Sequence, residues 1–352
     1  MNYLIVQQWP ITKGNHTGMS HLCDLLVRLY PEEYSKIEMD QTLNAPTRRH
    51  RITRLLFKHI DLWFYKRRFF KEYLKRCQGM FLQLQEDDKI FLLEYHLPGT
   101  DQYTLAKYLK RKYPKNQLIA LSHLTPSHLS ILGFNKKKIQ QWEKYIDKQL
   151  TLGSSLSIFF KKNGINSKKI FTGFYYVDNK YYTTTIAQST NKKQLKAIAM
   201  GNIQRNYSLL AEVIRGTPDI DWIICCGQDD LTEIIPSTPN VQLVNYVKES
   251  ELKRLMRISD VSVNIFDDTI GSNVITTSMA MGLAIIASDV GSIRDYCSSE
   301  NCLFCKNKAI FFIQSLNKLK NNPNTLYEMR KKSLEMSKRF SIENFHHWLQ
   351  TI

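Results

Sequence analysis

Runs of β-type apolar residues alternate with longer segments of helical periodicity along most of the chain. Residues 3–7 (YLIVQ) predict a strand, a polar turn containing glycines follows, and residues 21–30 have a helical pattern. Residues 89–93 predict a second strand, 104–113 a helix and 117–122 a third strand. Strands that alternate with helices of this length predict βαβ units and parallel sheets.

The alternation returns after residue 195 and continues to the end of the chain. Its predicted strands are 197–201, 221–227, 241–247, 261–266 and 283–289, and its predicted helices are 207–216, 249–259, 274–282 and those from 309 onward. A looser stretch over 173–194 separates the two series and predicts two doubly wound, Rossmann-like α/β domains, at 1–178 and 179–340. Such sheets bind ligands at the carboxyl ends of their strands, so the cleft between two facing domains is the expected site.

Composition and charge indicate the class of protein and the half of the chain that a charged partner would meet. The 352 residues are enough for two buried cores, and 43% apolar with 23% charged residues excludes a disordered or fibrous chain. The net charge is +17, divided as +18 over residues 1–200, −7 over 201–300 and +6 over 301–352. We therefore expect a polyanionic partner to meet the N-terminal half.

The ends and the cysteines indicate a compartment. The N-terminal sequence MNYLIVQQWP lacks the pattern of a signal peptide, and no run of 18 apolar residues occurs. Seven cysteines, an odd number, fit a reduced environment. The expectation is a cytoplasmic protein.

A stretch in the second half is similar to a known family. TTSMAMGLAIIASDVGSIRDY, 276–296, resembles the donor-side segment of GT-B nucleotide-sugar glycosyltransferases, above all the retaining group called family 4. The matching positions are Met279, Ala280, Gly282, Leu283, Ser288, Asp289, Val290 and Gly291. The flanking segments agree in order over about 195–345, and KGNHTGMS at 13–20 resembles the family's N-terminal glycine loop. The resemblance implies two domains facing a cleft and a last helix, 341–352, that crosses back to the first domain.

The resemblance also implies a donor site. A helix N-terminus with free backbone N–H groups suits a nucleotide diphosphate, and the loop beginning at Asp268 enters such a helix. A simple helix cap, without phosphate binding, is the alternative. An Arg after a strand, Arg205, can pair with the diphosphate, although a solvated surface Arg has the same sequence signature. The donor-binding candidates are Gly18, Arg205, Val247, Gly271, Ser272, Asn273, Val274 and Thr277.

Two acidic positions of the family are changed here. Thr269 and Thr277 stand where the resembling enzymes have Glu, one toward the donor sugar and one toward the ribose. Asp268 precedes Thr269 and becomes the catalytic candidate on the donor side if the loop is shifted. His123, at the end of a predicted strand, is the other catalytic candidate, and a structural histidine is its alternative.

Three cysteines invite a metal interpretation that we do not adopt. Cys297, Cys302 and Cys305 have the spacing C-x4-C-x2-C, but no fourth cysteine follows. No metal and no cofactor is expected, and the donor is taken to be a UDP- or GDP-linked sugar.

The densest positive charge is mixed with aromatic residues. Residues 48–76 contain eleven Lys or Arg and two acids, interleaved with apolar side chains. This pattern is typical of a helix on an anionic membrane interface. A cleft-lining helix and a nucleic-acid-binding segment are the alternatives. The candidate acceptor and membrane residues are Arg48, Arg49, Arg51, Arg54, Trp63, Arg67 and Arg68.

The sequence thus predicts a cytoplasmic glycosyltransferase on the inner face of the plasma membrane. It would transfer a sugar, with retention, from a nucleotide sugar to a lipid-linked or growing glycan acceptor, as in bacterial surface-polysaccharide (capsule or O-antigen) synthesis. A GT-B nucleotide-sugar epimerase and an inactive glycan- or nucleic-acid-binding protein are the alternatives. No nucleic-acid partner is expected.

Overall fold

The computed structural model describes residues 1–9, 13–40, 67–68, 70–186 and 194–352. Arg67 and Arg68 are helical and exposed. The other predicted membrane residues, Arg48, Arg49, Arg51, Arg54 and Trp63, lie outside the described residues.

The chain divides into two compact units. The first comprises Met1–Leu124, Leu129–Thr151 and Phe160–Phe171, and the second comprises Thr125–His128, Leu152–Phe159 and Thr172–Ile352. Each unit is built on one six-stranded sheet, as the alternating pattern predicts.

The first sheet has the strand order β2-β1-β3-β4-β5-β6, and the pairs from β2 to β5 are parallel. Elements up to residue 172 are β1 (Asn2–Gln8), α1 (Met19–Leu29), β2 (Tyr34–Asp40), α2 (Gln78–Gln83), β3 (Lys89–Leu92), α3 (Gln102–Lys112), β4 (Gln117–Ser122), α4 (Pro126–Ile131), α5 (Lys136–Glu143), β5 (Lys148–Thr151), α6 (Ser154–Lys162), a 3-10 turn (Ser167–Lys169) and β6 (Ile170–Thr172). The three predicted strands are confirmed, and β2, β5 and β6 are additional.

The second sheet has the order β12-β11-β10-β7-β8-β9, all parallel. Its elements are β7 (Lys196–Met200), α7 (Tyr207–Arg215), β8 (Asp221–Cys225), β9 (Val241–Val244), α8 (Glu249–Arg257), β10 (Val261–Asn264), α9 (Asn273–Ala280), β11 (Ala284–Ser288), α10 (Ile293–Tyr296), β12 (Cys302–Cys305), α11 (Ala309–Asn321), α12 (Pro323–Ser337), a 3-10 turn (Lys338–Phe340) and α13 (Ile342–Gln350).

In both sheets the strand order reverses at the strand that comes first in the chain. In the first, β2 lies on one side of β1 and β3 on the other; in the second, β8 lies on one side of β7 and β10 on the other. The connections therefore diverge between β1 and β3 and between β7 and β10, and open sheets bind ligands at the carboxyl ends of such switch points. The predicted fold class, two Rossmann-like doubly wound domains, is confirmed.

Buried apolar side chains cover both faces of the second sheet. Alternate residues of one strand enter different cores: Trp222 and Ile224 pack with α11, whereas Ile223 packs with the α9 side. Because both faces are covered, the strands read as continuous apolar runs, which made them easy to find in the sequence.

One buried ion pair joins α12 to the second sheet. Arg330 Nη1 lies 3.0 Å from Asp260 Oδ1, and the Asp260 side chain is fully buried. Asp260 also accepts from the backbone N–H of Lys196, while Arg330 donates to the Gly282 carbonyl at 2.9 Å. The pair fixes α12 against the start of β7 and the end of α9.

We predict that Arg330→Ala lowers the free energy of unfolding by about 3–5 kcal/mol, because it leaves the buried Asp260 charge without its cation. The matched control is Lys331→Ala on the same helix. Lys331 pairs with Glu328 at 3.9 Å, and both side chains are 67% exposed, so the loss there is below about 1 kcal/mol. Urea unfolding measures both variants; equal losses would contradict this account of the pair.

Candidate functional site

The N-terminus of α9 is preceded by a loop that is braced by its own side chains. Gly271 has a φ of +96°, and a Cβ there would enter the ring of Tyr296. The Thr269 hydroxyl accepts from the Gly271 N–H at 3.1 Å, and Ser272 caps α9 by accepting from the Val274 N–H at 3.1 Å. Glycine is thus required by both backbone and space.

The predicted catalytic carboxylate is anchored within the second unit. Asp268 Oδ2 accepts from the Ser127 N–H at 3.1 Å and from its hydroxyl at 2.8 Å. The neighbouring Asp267 accepts from the Asn206 side chain at 2.9 Å. These bonds fix both acids at the ends of β7 and β10, where the second sheet reverses.

Arg205 lies at this switch point. Its guanidinium carbon is 4.1 Å from the centre of the Phe266 ring, and Nη1 donates to Asn264 Oδ1 at 3.3 Å. Nε is buried and has no hydrogen-bond partner among the described residues. Burial lowers the pKa of Arg205 to about 10, so the side chain stays cationic at neutral pH.

A small pocket opens beside Arg205. It is lined by the ends of β7, β8 and β10 and the start of α7, including Gly201, Arg205, Tyr207, Cys225, Val263 and Ile265. The Tyr207 hydroxyl bridges the Gly201 carbonyl at 3.0 Å and Asp229 Oδ2 at 3.3 Å. The pocket combines an apolar floor with a cation at its edge, and the cation favours an anionic group at this place.

The hydroxyls of Thr269 and Thr277, the two changed acidic positions, form hydrogen bonds to residues close by in the chain. Thr277 is buried, and its hydroxyl donates to the Asn273 carbonyl at 2.7 Å, one turn back along α9. Thr269 is bonded within its own loop, as described above. Val247, the remaining donor candidate, is half-buried between β9 and α8. The donor-binding roles of Thr277 and Val247 stay predictions.

A serine cluster missed by sequence reasoning holds the same loop. Ser155 donates to the Thr269 carbonyl at 3.3 Å, and its N–H donates to Ser292 Oγ at 2.9 Å. Beside it, Asp295 accepts from the N–H and the hydroxyl of Ser154 at 2.6 and 2.9 Å. These partners are 114 to 141 residues apart, and serines at a helix start are common, so no local signal marks them.

The N-terminal candidates lie in the first unit. Gly18 is the N-cap of α1, with an extended backbone, and donates to the Asn15 carbonyl at 3.1 Å. His123 follows β4, and its Nε2 lies 2.6 Å from the Leu93 carbonyl, so this nitrogen is the protonated one. Burial lowers the pKa of His123 to about 4, which keeps the ring neutral. Their predicted catalytic and binding roles stay predictions.

The three clustered cysteines are buried thiols. Burial, reinforced by the neighbouring Cys297, raises the pKa of Cys302 well above its usual value, and Cys305 Sγ lies 3.3 Å from the Ser315 hydroxyl. A high pKa disfavours the thiolate that binds metals. They pack as small core residues.

Comparisons with known proteins agree with the fold. The family model described as "Glycosyl transferases group 1" matches residues 196–322, which include β7, Arg205 and the loop before α9. Curated protein sequences contain no match. Among solved structures, Anabaena Alr3699/HepE in complex with UDP-glucose is similar with a TM-score of 0.70 at 12% identity, over 99% of this chain and 98% of that one.

The chain has the GT-B fold. Two further structures agree: the lipopolysaccharide outer core galactosyltransferase WaaB (TM-score 0.67, 13% identity, 100% of this chain and 99% of that one) and sucrose-phosphate synthase from Thermosynechococcus elongatus (0.70, 11%, 100% and 97%). The predicted resemblance to GT-B glycosyltransferases is confirmed, and the assignment to family 4 stays a prediction. Among the described residues, no helix has the length and apolar composition needed to span a membrane.

Four buried titratable groups of the first unit make the free energy of unfolding of the GT-B chain depend on pH. Burial raises the pKa of Glu94 and of Glu143 from 4.5 to about 8, and lowers the pKa of His96 and of His123 from 6.5 to about 3 and about 4. At pH 6.5 the unfolded histidines are half protonated, and their loss of that proton by about pH 8 adds only a small opposing gain in stability. The folded acids still hold protons that the unfolded chain has lost, and this effect is the larger one. Stability therefore falls as pH rises from 6.5 to 8.

We predict a loss of about 2 kcal/mol per acid over this interval, and that Glu94→Gln removes about half of the total. Urea unfolding at pH 6.5, 7.25 and 8 measures the slope. Glu328→Gln, at an exposed position, is the control and leaves the slope unchanged. A profile that is flat or rises over this interval would contradict the assignment.

Proposed function

We propose that the chain is a retaining hexosyltransferase that transfers a sugar from a UDP- or GDP-linked donor to a lipid-linked or growing glycan acceptor, as in bacterial surface-polysaccharide synthesis. The observation that carries the proposal is the Arg205 guanidinium, which is cationic, without a carboxylate ion pair among the described residues, and beside a pocket at the switch point of the matched sheet. The relatives in fold include structures with UDP and with UDP-glucose.

Arg205 and the N-terminus of α9 are proposed to stabilise the leaving group, the nucleoside diphosphate. When the bond from the anomeric carbon to the phosphate oxygen breaks, negative charge grows on the diphosphate. The Arg205 guanidinium offsets that charge by hydrogen bonds from its unpartnered Nε–H and its terminal nitrogens. The N-terminus of α9, which carries Asn273 and Val274, presents backbone dipoles of the same sign.

Retention follows if the acceptor attacks from the face that the diphosphate leaves. The acceptor oxygen bonds to the anomeric carbon, and its proton passes to the departing phosphate oxygen, so no separate protein base is required. Asp268, fixed by Ser127, is the proposed polar contact to the donor sugar in the second unit. His123, kept neutral by burial, is the proposed catalytic residue of the first unit.

The acceptor side is proposed to meet an anionic membrane on the cytoplasmic face. The support is the basic, aromatic stretch over 48–76, of which Arg67 and Arg68 are exposed on a helix. Surface cations near anionic lipid contribute ~1 kcal/mol each.

The donor proposal is tested with a panel of UDP- and GDP-sugars, assayed for release of the nucleoside diphosphate. We predict that wild type releases it from at least one of them and that Arg205→Met weakens binding of that nucleoside diphosphate about 10–100-fold in calorimetry, because a charge-assisted contact is lost. Arg294→Met is the matched control: Arg294 also lies over a ring, 4.2 Å from the centre of Phe304, but pairs with Asp289 at an exposed position.

The outcomes separate the alternatives. Conversion of the donor sugar to its epimer without transfer would indicate the epimerase, and absence of both binding and turnover across the panel would indicate an inactive binding protein. Equal effects of the two Arg variants would refute the role of Arg205.

The membrane proposal is tested by flotation with vesicles containing 30% anionic phospholipid, about the range in which surface charge dominates binding. We predict that wild type floats at low salt and is released at 0.5 M salt, about the strength at which exposed charges are screened. Replacing Arg48, Arg49, Arg51 and Arg54 with Gln abolishes flotation while leaving donor binding intact. The control replaces Lys306 and Lys308 with Gln and keeps flotation. Salt-independent flotation, or no binding, would contradict the proposal.

A further inference from the structure

Three buried polar side chains form a chain of hydrogen bonds behind Arg205. Asn264 Oδ1 accepts from Arg205 Nη1 at 3.3 Å, and the Asn264 amide nitrogen donates to the Ser262 carbonyl at 3.2 Å and to the Ser262 hydroxyl at 2.9 Å. The Ser262 hydroxyl also accepts from the Ser278 hydroxyl at 2.9 Å. The hydrogen bonds therefore run from the guanidinium through β10 to α9.

These polar groups lie in an apolar part of the second sheet. Asn264, Ser262 and Ser278 are all 0% exposed. In the strand register, Ser262 has Ile198 of β7 on one side and Ile285 of β11 on the other, and both isoleucines belong to the core on the α9 side. Apolar side chains of the same shape would fill this place at no loss of stability. Packing thus does not account for a polar network here, whereas a task at the guanidinium does.

The network determines which atom of the Asn264 amide faces the guanidinium. A carbonyl oxygen only accepts, so the atom beside the Ser262 carbonyl is the amide nitrogen, and Oδ1 faces Arg205. A turned amide would place its NH2 group against the cation and its oxygen against the Ser262 carbonyl. The Ser262 hydroxyl, bonded to Ser278, is a second acceptor for the nitrogen. Asn264 is thus held as an acceptor toward Arg205.

The acceptor is a neutral amide, which leaves the charge of Arg205 available to a ligand. A carboxylate in this place would also accept from the guanidinium, but it would form an ion pair that competes with an anion. The Phe266 ring, 4.1 Å from the guanidinium carbon, and Asn264 Oδ1 together fix the plane of the guanidinium. Its Nε–H, buried and without a partner among the described residues, is left as a donor of fixed direction.

We propose that Asn264 is a positioning residue for Arg205. It holds the guanidinium in one orientation without cancelling its charge, and Ser262 and Ser278 hold the Asn264 amide in turn. That the oriented cation binds the diphosphate of a nucleotide donor rests on the proposed function; that Asn264 orients the guanidinium does not.

The first test observes the guanidinium itself, by NMR of the arginine Nε–H groups in the full chain without ligand. The Arg205 signal is the one that Arg205→Met removes. Wild type is expected to show slow exchange of this proton with water, because Nε is buried. Asn264→Leu is expected to speed the exchange about tenfold, and Ser262→Ala about threefold, since each frees the guanidinium in part. Unchanged exchange in both variants would overturn the proposal.

The second test is a double-mutant cycle, measured by calorimetry with UDP or GDP, whichever wild type binds more tightly. Asn264→Leu is expected to weaken binding about tenfold, and Asn264→Asp about 10–100-fold, because the new carboxylate pairs with Arg205. In the Arg205→Met background, Asn264→Leu is expected to change binding less than about twofold, since its effect passes through Arg205. A residue with a structural role alone would weaken binding equally in both backgrounds, and that result would overturn the proposal.

Ser259→Ala is the matched control. Ser259 follows α8 in the same unit, is 1% exposed, and donates from its hydroxyl to the Leu255 carbonyl at 2.8 Å. This variant also loses one buried hydroxyl, but it is expected to leave the Arg205 signal and the nucleotide affinity unchanged. Losses equal to those of Ser262→Ala would overturn the assignment.

The two tests keep the positioning role separate from the proposed function. An Arg205 signal that depends on Asn264, in a chain that binds neither UDP nor GDP, leaves the positioning role in place and overturns the transferase. Nucleotide binding with an additive cycle overturns the positioning role alone.

Discussion

The candidate donor site depends on one cation, the Arg205 guanidinium, which lies where the strand order of the second sheet reverses. The Arg205 guanidinium stacks on Phe266, donates a hydrogen bond to Asn264 and is partly desolvated. No carboxylate pairs with it among the described residues. Partial burial of a cation without an ion pair is unfavourable, and an anion in the adjoining pocket relieves the cost. The loop before α9, held by Ser127 and Ser155, is arranged beside this charge.

The two units share one feature of their sheets, a reversal of strand order at the first strand, but they place different side chains there. Each sheet opens at the carboxyl ends beside its first strand, because connections leave that strand in opposite directions. The second sheet places the Arg205 cation there. In the first sheet the buried Glu94, in the turn after β3, accepts from the Gln7 N–H at 3.1 Å and from the Gln102 amide at 3.0 Å.

Much of the fold was predictable because buried parallel strands are continuous apolar runs. Residues 117–122 and 221–225 are examples, and the glycine loop before α9 was found by its resemblance to a family. In the first sheet, the edge strands β2 and β6 and the short inner strand β5 were missed. Tyr34–Asp40 alternates charged and apolar residues, and the other two are only four and three residues long, so their pairing depends on neighbours distant in sequence.

The site was predictable only where local chemistry marked it. Arg205 and Asp268 were found as charged residues after strands, but their partners Asn264 and Ser127 are 59 and 141 residues away. Ser155 and Ser292, which hold the loop before α9, were missed. The bond between them joins positions 137 residues apart, and no local pattern in the sequence marks such a pair.

The most direct test of the central claim is a crystal structure with UDP or GDP bound. The account predicts the diphosphate at the carboxyl ends of β7 and β10, with a phosphate oxygen within hydrogen-bond distance of Arg205 Nε and the loop from Asp268 to Asn273 against it. A diphosphate bound elsewhere, with Arg205 still on Asn264 and its Nε unpartnered, would contradict the account.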